Sequence, residues 1–243
     1  RKFNHFRFSK IKFIIRKFPR LSRTIANTLT VTCNPNKHLT KPNRLTFNSQ
    51  NIINSSMQKF EHFIKTFIGI DEIDLKLILS KFREKNVPKG KFILKKGQIA
   101  NQYFFIVSGG LRFFYDTIDK ENTTWVVFKN EFFTEISSLH TQKPSRFNIQ
   151  AIEETELLVI DKSDMDFLYS HIPVWQEFGR KVWEAMSVRM IDQILNFQTL
   201  SAEQRYIEFM STPELLQKVS VKDLAAVLGI TPNALSRIRK NIK

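Results

Sequence analysis

Two capped helical segments meeting at a glycine close this chain. Residues 220–242 read SVKDLAAVLGITPNALSRIRKNI, and the spacing predicts two short helices joined by a tight turn. Ser220 supplies a side-chain acceptor at the start of the first, with Asp223 three residues on in a capping-box arrangement. Leu224, Ala225, Val227 and Leu228 give that helix an apolar face at helical spacing. Gly229 supplies the residue of positive φ that ends it. Thr231 caps the second helix, and Pro232 takes its first position, where no backbone N–H is required. Leu235 and Ile238 face inward; Asn233, Ser236, Arg237 and Lys240 face outward. A small residue at the crossing, a glycine in the turn and two apolar anchors beyond it form the packing signature of a helix-turn-helix, whose second helix enters a DNA major groove. An ordinary helical hairpin shares the two helices but not this combination. Charge adds to the contrast, since residues 218–243 hold six Lys/Arg and one acid. Thr231, Asn233, Ser236, Arg237, Lys240 and Lys222 are the residues expected to meet double-stranded DNA.

Upstream, short strands alternate with turn signals. Phe92–Leu94, Tyr103–Val107, Leu111–Tyr115, Thr123–Phe128, Phe147–Ile152 and Leu157–Ile160 are apolar runs separated by Gly97, the Gly109–Gly110 pair and the polar stretch 116–122. The pattern predicts an antiparallel barrel or double-sheet jelly roll, preceded by two amphipathic helices over 60–70 and 71–82. After Pro173 a long helix is expected to about Thr199. Phe178, Val182, Met186, Met190 and Ile194 recur on it every four residues, and Trp175, Trp183, Ile191, Leu195 and Phe197 widen the stripe. A helix apolar on more than one side must be covered twice. One side is assigned to the barrel and the other, marked by Phe178, Val182, Met186, Met190 and Ile194, to the same helix of a second copy; a core helix of a single chain is the alternative. Ser201 and Gln204 form a capping box, so Leu200–Ser201 is the expected hinge.

Charge narrows the function classes. The net +15 is uneven: residues 1–56 carry twelve Lys/Arg and no acid, and the remainder is nearly neutral. That acid-free stretch, which ends just before the first methionine, Met57, is expected to be a non-native or disordered leader. A targeting segment and a nucleic-acid-binding arm are its alternatives. The single cysteine, Cys33, lies within it. The body therefore has no thiol for a disulfide, an iron–sulfur cluster or nucleophilic catalysis. His62, His140 and His171 show no metal-ligand spacing, and a cupin-type enzyme would need clustered His and Glu ligands. No apolar run approaches the length that spans a bilayer. A cytoplasmic non-enzyme is expected, with neither metal nor cofactor.

The order of parts resembles the Crp/Fnr family of bacterial regulators, over about Met57 to Lys243. Lys89–Gly97 (KGKFILKKG), Tyr103–Arg112 (YFFIVSGGLR), Glu131–Ile136 (EFFTEI), Ser201–Tyr206 (SAEQRY) and Val221–Arg237 (VKDLAAVLGITPNALSR) carry the likeness. It implies an α+β protein: a cyclic nucleotide-binding-like barrel over 57–172, a dimerisation helix over 173–200 and a winged helix-turn-helix over 201–243. It also implies a homodimer on a palindromic operator that tunes transcription initiation with RNA polymerase as partner. A ligand-sensing module acting through protein contacts is the alternative function.

Sensing is where the sequence departs from that family. Cyclic-nucleotide members place Gly-Glu-Leu before an Arg-Ser/Thr-Ala triplet, using the glutamate on the ribose and the arginine on the phosphate. Here Glu135 matches the glutamate, but Thr134 stands at the glycine and the triplet reads Ser145-Arg146-Phe147. A one-residue shift in a strand sends a side chain to the opposite face, although the loop has room to absorb it, and Phe147 crowds the phosphate position. Met190 and Ile191 stand roughly where hydroxyl residues would read the base. Glu135 and Arg146 remain the candidate effector-pocket residues, with a structural ion pair or solvated charges as the alternative, and cyclic AMP is not the expected effector. In the reading helix the resemblance gives Arg237 a guanine edge. Asn233 takes the place of a cytosine-reading glutamate and Pro232 that of a base-reading arginine, so the operator should differ. Lys240 and Lys222 are assigned to phosphates.

Overall fold

The computed structural model describes residues 49–118 and 120–242. Helices α1 (Ser49–Phe67) and α2 (Glu72–Ser80) come first. The upstream stretch expected as a leader lies outside the described residues up to 48, and α1 runs continuously across the expected boundary at Met57. Eight strands follow: β1 (Arg83–Val87), β2 (Phe92–Leu94), β3 (Gln102–Ser108), β4 (Gly110–Asp116), β5 (Glu121–Phe128), β6 (Phe132–Phe133), β7 (Asn148–Ala151) and β8 (Thr155–Asp161). A short helix α3 (Ile136–Thr141) sits between β6 and β7. The strands form two four-stranded antiparallel sheets, ordered β1-β8-β3-β6 and β2-β7-β4-β5. This is the expected double-sheet barrel.

Aromatic rings fill the space between and behind the sheets. Phe105 and Ile106 of β3, Leu111 of β4 and Leu158 of β8 have no exposed surface. Phe60 of α1 meets Phe105 at 4.7 Å between ring centroids. The reversal from β3 into β4 is made by two glycines. Gly109 adopts φ +90°, and a Cβ there would lie 2.5 Å from the Glu154 carbonyl oxygen. Neither backbone nor space admits a side chain at that corner.

Helix α4 (Lys162–His171) leads into the long α5 (Pro173–Thr199), with proline at its start. Trp175 and Phe178 stack at 4.3 Å, and Phe178 meets Phe132 of β6 edge-on at 5.6 Å. Phe178 and Val182 are therefore core residues of this chain, and Met186 packs against the same core. This corrects the expectation that all five stripe residues face a partner. A four-residue spacing advances about 40° per step on a helix of 3.6 residues per turn, so Phe178 and Ile194 point in nearly opposite directions. Only the later half, Met190 and Ile194 with Val188, Ile191, Leu195 and Phe197, is exposed.

Four short helices complete the chain: α6 (Ala202–Phe209), α7 (Pro213–Lys218), α8 (Val221–Val227) and α9 (Pro232–Asn241). The break before α6 is the predicted one, with Ser201 and Gln204 making both bonds of a capping box. No strand accompanies these helices among the described residues, so the expected wing has no counterpart there.

Phe178→Ala should lower stability by about 3–5 kcal/mol, because it empties a fully buried aromatic site. Urea unfolding checks this; a loss below about 1 kcal/mol would place Phe178 outside the core.

Candidate functional site

The seven residues of α8 are too few to hold a helix alone. A local core supports it: Leu224 and Ala225 of α8 with its C-cap Leu228, Leu235 of α9, Tyr206 of α6 and Val219. Ser220 Oγ accepts from Asp223 N at 3.1 Å, and Thr231 Oγ1 accepts from Ala234 N at 3.2 Å. The turn closes through Ile230 N, which donates to the Ala225 carbonyl at 2.9 Å, and Gly229 takes φ 72°. Both predicted caps, the crossing alanine and the turn glycine therefore have the predicted place, but the expected capping box is only half made, because the Asp223 carboxylate turns to Arg112, Thr123 and the Ser220 hydroxyl instead of the Ser220 amide.

This packing leaves one side of α9 free. Asn233, Ser236, Arg237 and Lys240 are exposed together, with Thr231 and Pro232 at the leading end, while Leu235 is fully buried on the other side. Neither Arg237 nor Lys240 pairs with a carboxylate among the described residues. The edge thus offers a guanidinium, an ammonium, an amide and a hydroxyl. Lys222 stands apart on the first turn of α8, where its ammonium lies 3.9 Å from Glu121.

Beneath α8 lies the outer face of the second sheet. Arg112 of β4 has Gln150 of β7 and Val126 of β5 as register partners, so the three share that face. Four of the five N–H donors of the guanidinium are engaged, two of them on Gln150. Its Nε donates to Gln150 Oε1 at 2.9 Å, its Nη2 to Glu121 at 2.9 Å, and its Nη1 to Asp223 Oδ1 at 2.9 Å. It also lies 4.1 Å from the Phe114 ring centroid. Asp223 accepts further bonds from Thr123 Oγ1 at 2.6 Å and Ser220 Oγ at 2.5 Å. Both side chains of the ion pair are only 13% exposed. Burial pushes the Asp223 carboxyl up, but the two hydroxyls and Arg112 outweigh it and hold the group below its ordinary value.

The other end of α8 is tied to the long helix. Arg205 of α6 donates to the Leu200 carbonyl at 2.7 Å and to the Leu228 carbonyl at 3.0 Å, with its guanidinium over the Phe197 ring. Phe197 also lies against Gly229. Between β5, α5 and α6 is an open cavity of about 290 Å³, lined by Trp125, Asp192, Phe197, Arg205, Phe209 and Val227. Trp125 Nε1 donates to Gln193 of α5 across its rim at 2.9 Å.

The two candidate effector residues stand in different settings. Glu135 is buried and caps α3, accepting from Ser137 N at 3.2 Å and Ser138 N at 2.9 Å. Arg146 is exposed in the loop before β7, and the two form no ion pair among the described residues. Both alternatives raised for Glu135, an ion pair and a solvated charge, are replaced by a helix cap. Arg112, Thr123, Gln150 and Arg205 were not singled out from the sequence. The one available signal was a lone arginine inside the apolar run LRFF, where a charge is costly unless paired.

Residues 84–171 match the cyclic nucleotide-binding domain family. Over 181 residues the chain is 25% identical to the cyclic AMP receptor protein of Thermus thermophilus, covering 71% of this chain and 82% of that one. A CooA mutant from Carboxydothermus hydrogenoformans aligns with a TM-score of 0.53 at 21% identity, over 68% of this chain and 77% of that one. The c-di-GMP responsive global regulator CLP of Xanthomonas campestris aligns at 0.56 and 16% identity, over 71% and 91%. The two structures share this fold.

A carboxyl held low in the folded state contributes stability above its unfolded value of about 3.9 and loses it as pH falls through the folded value. Wild-type protein should therefore outlast Asp223→Asn in urea at neutral pH, and the gap should close on acidification below about pH 4. A gap of constant size down to strong acid would remove the charge from the explanation.

Proposed function

We propose that this chain, a homologue of the Crp/Fnr regulators, works as a cytoplasmic homodimer that reads operator DNA with α9 and regulates transcription. The observation that carries the reading is the exposed edge of Asn233, Ser236, Arg237 and Lys240 on a helix locked from behind by Leu235. A guanidinium in that position suits the O6/N7 edge of guanine, and Asn233 suits the N6/N7 edge of adenine. Lys240 supplies a phosphate contact, which positions without specifying. Thr231 marks where the helix N-terminus approaches the backbone of the duplex.

The exposed half of α5 supports the dimer. Met190, Ile191, Ile194 and Leu195 present a contiguous apolar strip that a second copy of the same helix would cover. Two copies place two α9 helices on one side of a duplex, at half-sites roughly 34 Å apart. RNA polymerase is the partner through which such a protein acts on initiation. The homologues carry names of receptors and regulators, in keeping with a protein that binds rather than catalyses. No helix among the described residues is long and apolar enough to cross a membrane.

The barrel is proposed to respond to something other than cyclic AMP, although the Thermus relative bears that ligand in its name. Glu135 is committed to two backbone amides, Arg146 points to solvent, and Phe147 is half-buried beside it. None of the three offers the ribose and phosphate contacts of the family's cassette.

Selection of bound duplexes from random-sequence DNA should return a two-fold symmetric site. Arg237→Ala should then cost about 1–3 kcal/mol and relax one position per half-site. Lys240→Ala should weaken all sequences alike and reduce the salt slope by about 0.9 for each phosphate it no longer neutralises. Recovery of no duplex at moderate salt would end the DNA reading. Calorimetric titration with cyclic AMP should show no micromolar binding; binding abolished by Arg146→Ala would restore the nucleotide as effector.

A further inference from the structure

We infer that Arg112 is a positioning residue: from the barrel sheet, through Asp223, it sets the direction in which α9 presents its reading edge. The inference rests on the proposed DNA reading and adds to it a part of the chain far from the DNA helix. It starts from how α8 is attached. One end is held by the barrel, where Arg112 Nη1 meets Asp223 Oδ1 at 2.9 Å and Thr123 Oγ1 meets the same oxygen at 2.6 Å. The other end is held by α6 and the end of the long helix: Arg205 of α6 binds the Leu228 carbonyl at 3.0 Å, and Phe197 of α5 backs Gly229.

Two attachments fix the direction of an axis; one attachment leaves it free to swing. A seven-residue helix is about 10 Å long, so a slip of about 2 Å at one end turns it by roughly 11°. Leu224 and Ala225 of α8, with its C-cap Leu228, share a core with Leu235 of α9, so the reading helix follows any such turn.

Chemistry distinguishes this contact from plain packing. Apolar partners at the same place would hold α8 against the sheet but let it slide. A charged N–H donor on a single carboxylate oxygen, which the Thr123 hydroxyl also holds, is directional and short-ranged, and it resists such sliding. Arg112 cannot itself shift, because Gln150 and Glu121 hold the rest of its guanidinium, and Gln150 Nε2 in turn donates to the Gly90 carbonyl at 2.8 Å. The sheet that would register an event in the barrel thus carries the anchor of the reading unit. The outlying pairs Lys218–Glu153 and Lys129–Glu214 are more exposed and cannot replace it.

The test uses full-length protein in a Cys33→Ser background with spin labels at Glu84→Cys on β1 and Lys240→Cys on α9, both exposed sites. Arg112→Met keeps roughly the length of the side chain and removes its N–H donors; Asp223→Asn makes the same test from the helix side should the first variant lose its fold. With labelled chains diluted in an excess of unlabelled ones, so that distances within one chain dominate, unchanged far-ultraviolet dichroism and one narrow distance distribution are expected for the labelled parent, and a broad distribution for each variant. The double variant should be no broader than either single one, since both cut one link. In parallel, unlabelled Arg112→Met should lose roughly tenfold or more in affinity for the selected two-half-site duplex, and hold a single half-site within about twofold of wild type. Distributions as narrow in the variants as in the parent would overturn the inference. So would equal losses on one and two half-sites. If the parent binds no duplex, the DNA reading fails while the distance measurement still decides the role of Arg112.

Discussion

Both faces of the sheet β2-β7-β4-β5 are covered, and the order of the C-terminal third depends on it. The inner face closes over the phenylalanine core through Leu111, Phe113 and Ile149. The outer face carries Arg112, Val126, Phe128 and Ile152 against the helices that follow Thr199. Helices of six to eight residues have too little internal hydrogen bonding to stand unaided. They are ordered because a rigid, half-apolar sheet receives them, and because one well-bonded guanidinium fixes where they land. Burying a charge there is costly, and the cost is offset by its carboxylate and amide partners.

Much of this was legible in the chain. Local signals with fixed geometry transferred directly: Ser201, Ser220 and Thr231 as caps, Gly229 as terminator, Pro232 as a first helical residue and Pro173 as the marker of the long helix, which begins on it. Strands buried on at least one face could be found from their apolar runs. Strand β1 could not, because Arg83-Glu84-Lys85-Asn86 exposes every residue and only Val87 turns inward. An edge strand held by its backbone pairing to β8 leaves no periodic trace. Strand β6, two residues long, and α3 were equally silent.

What the sequence concealed was direction and distance. The apolar stripe on α5 looked like one face but winds around the helix, so its first half serves this chain's core and its second half stays open. Glu135 matched a ligand-holding glutamate by position, and the fold adds what the sequence did not show: each of its oxygens accepts from a backbone amide at the start of α3. Arg112 and Asp223 lie 111 positions apart, and no local pattern links them. Contacts of that span are visible only once the fold brings them together, and here they join the barrel to the helices that carry the candidate reading edge.

The hydrogen bond from the Trp125 indole to Gln193 has a practical side. Trp175 is sealed in the core and Trp183 is half-buried, whereas Trp125 stands partly in water at the rim of the cavity that separates β5 from α5 and α6. Its fluorescence colour depends on how wet that crevice is. The molecule thus carries a built-in optical gauge at the seam between its barrel and its helices, readable without any dye.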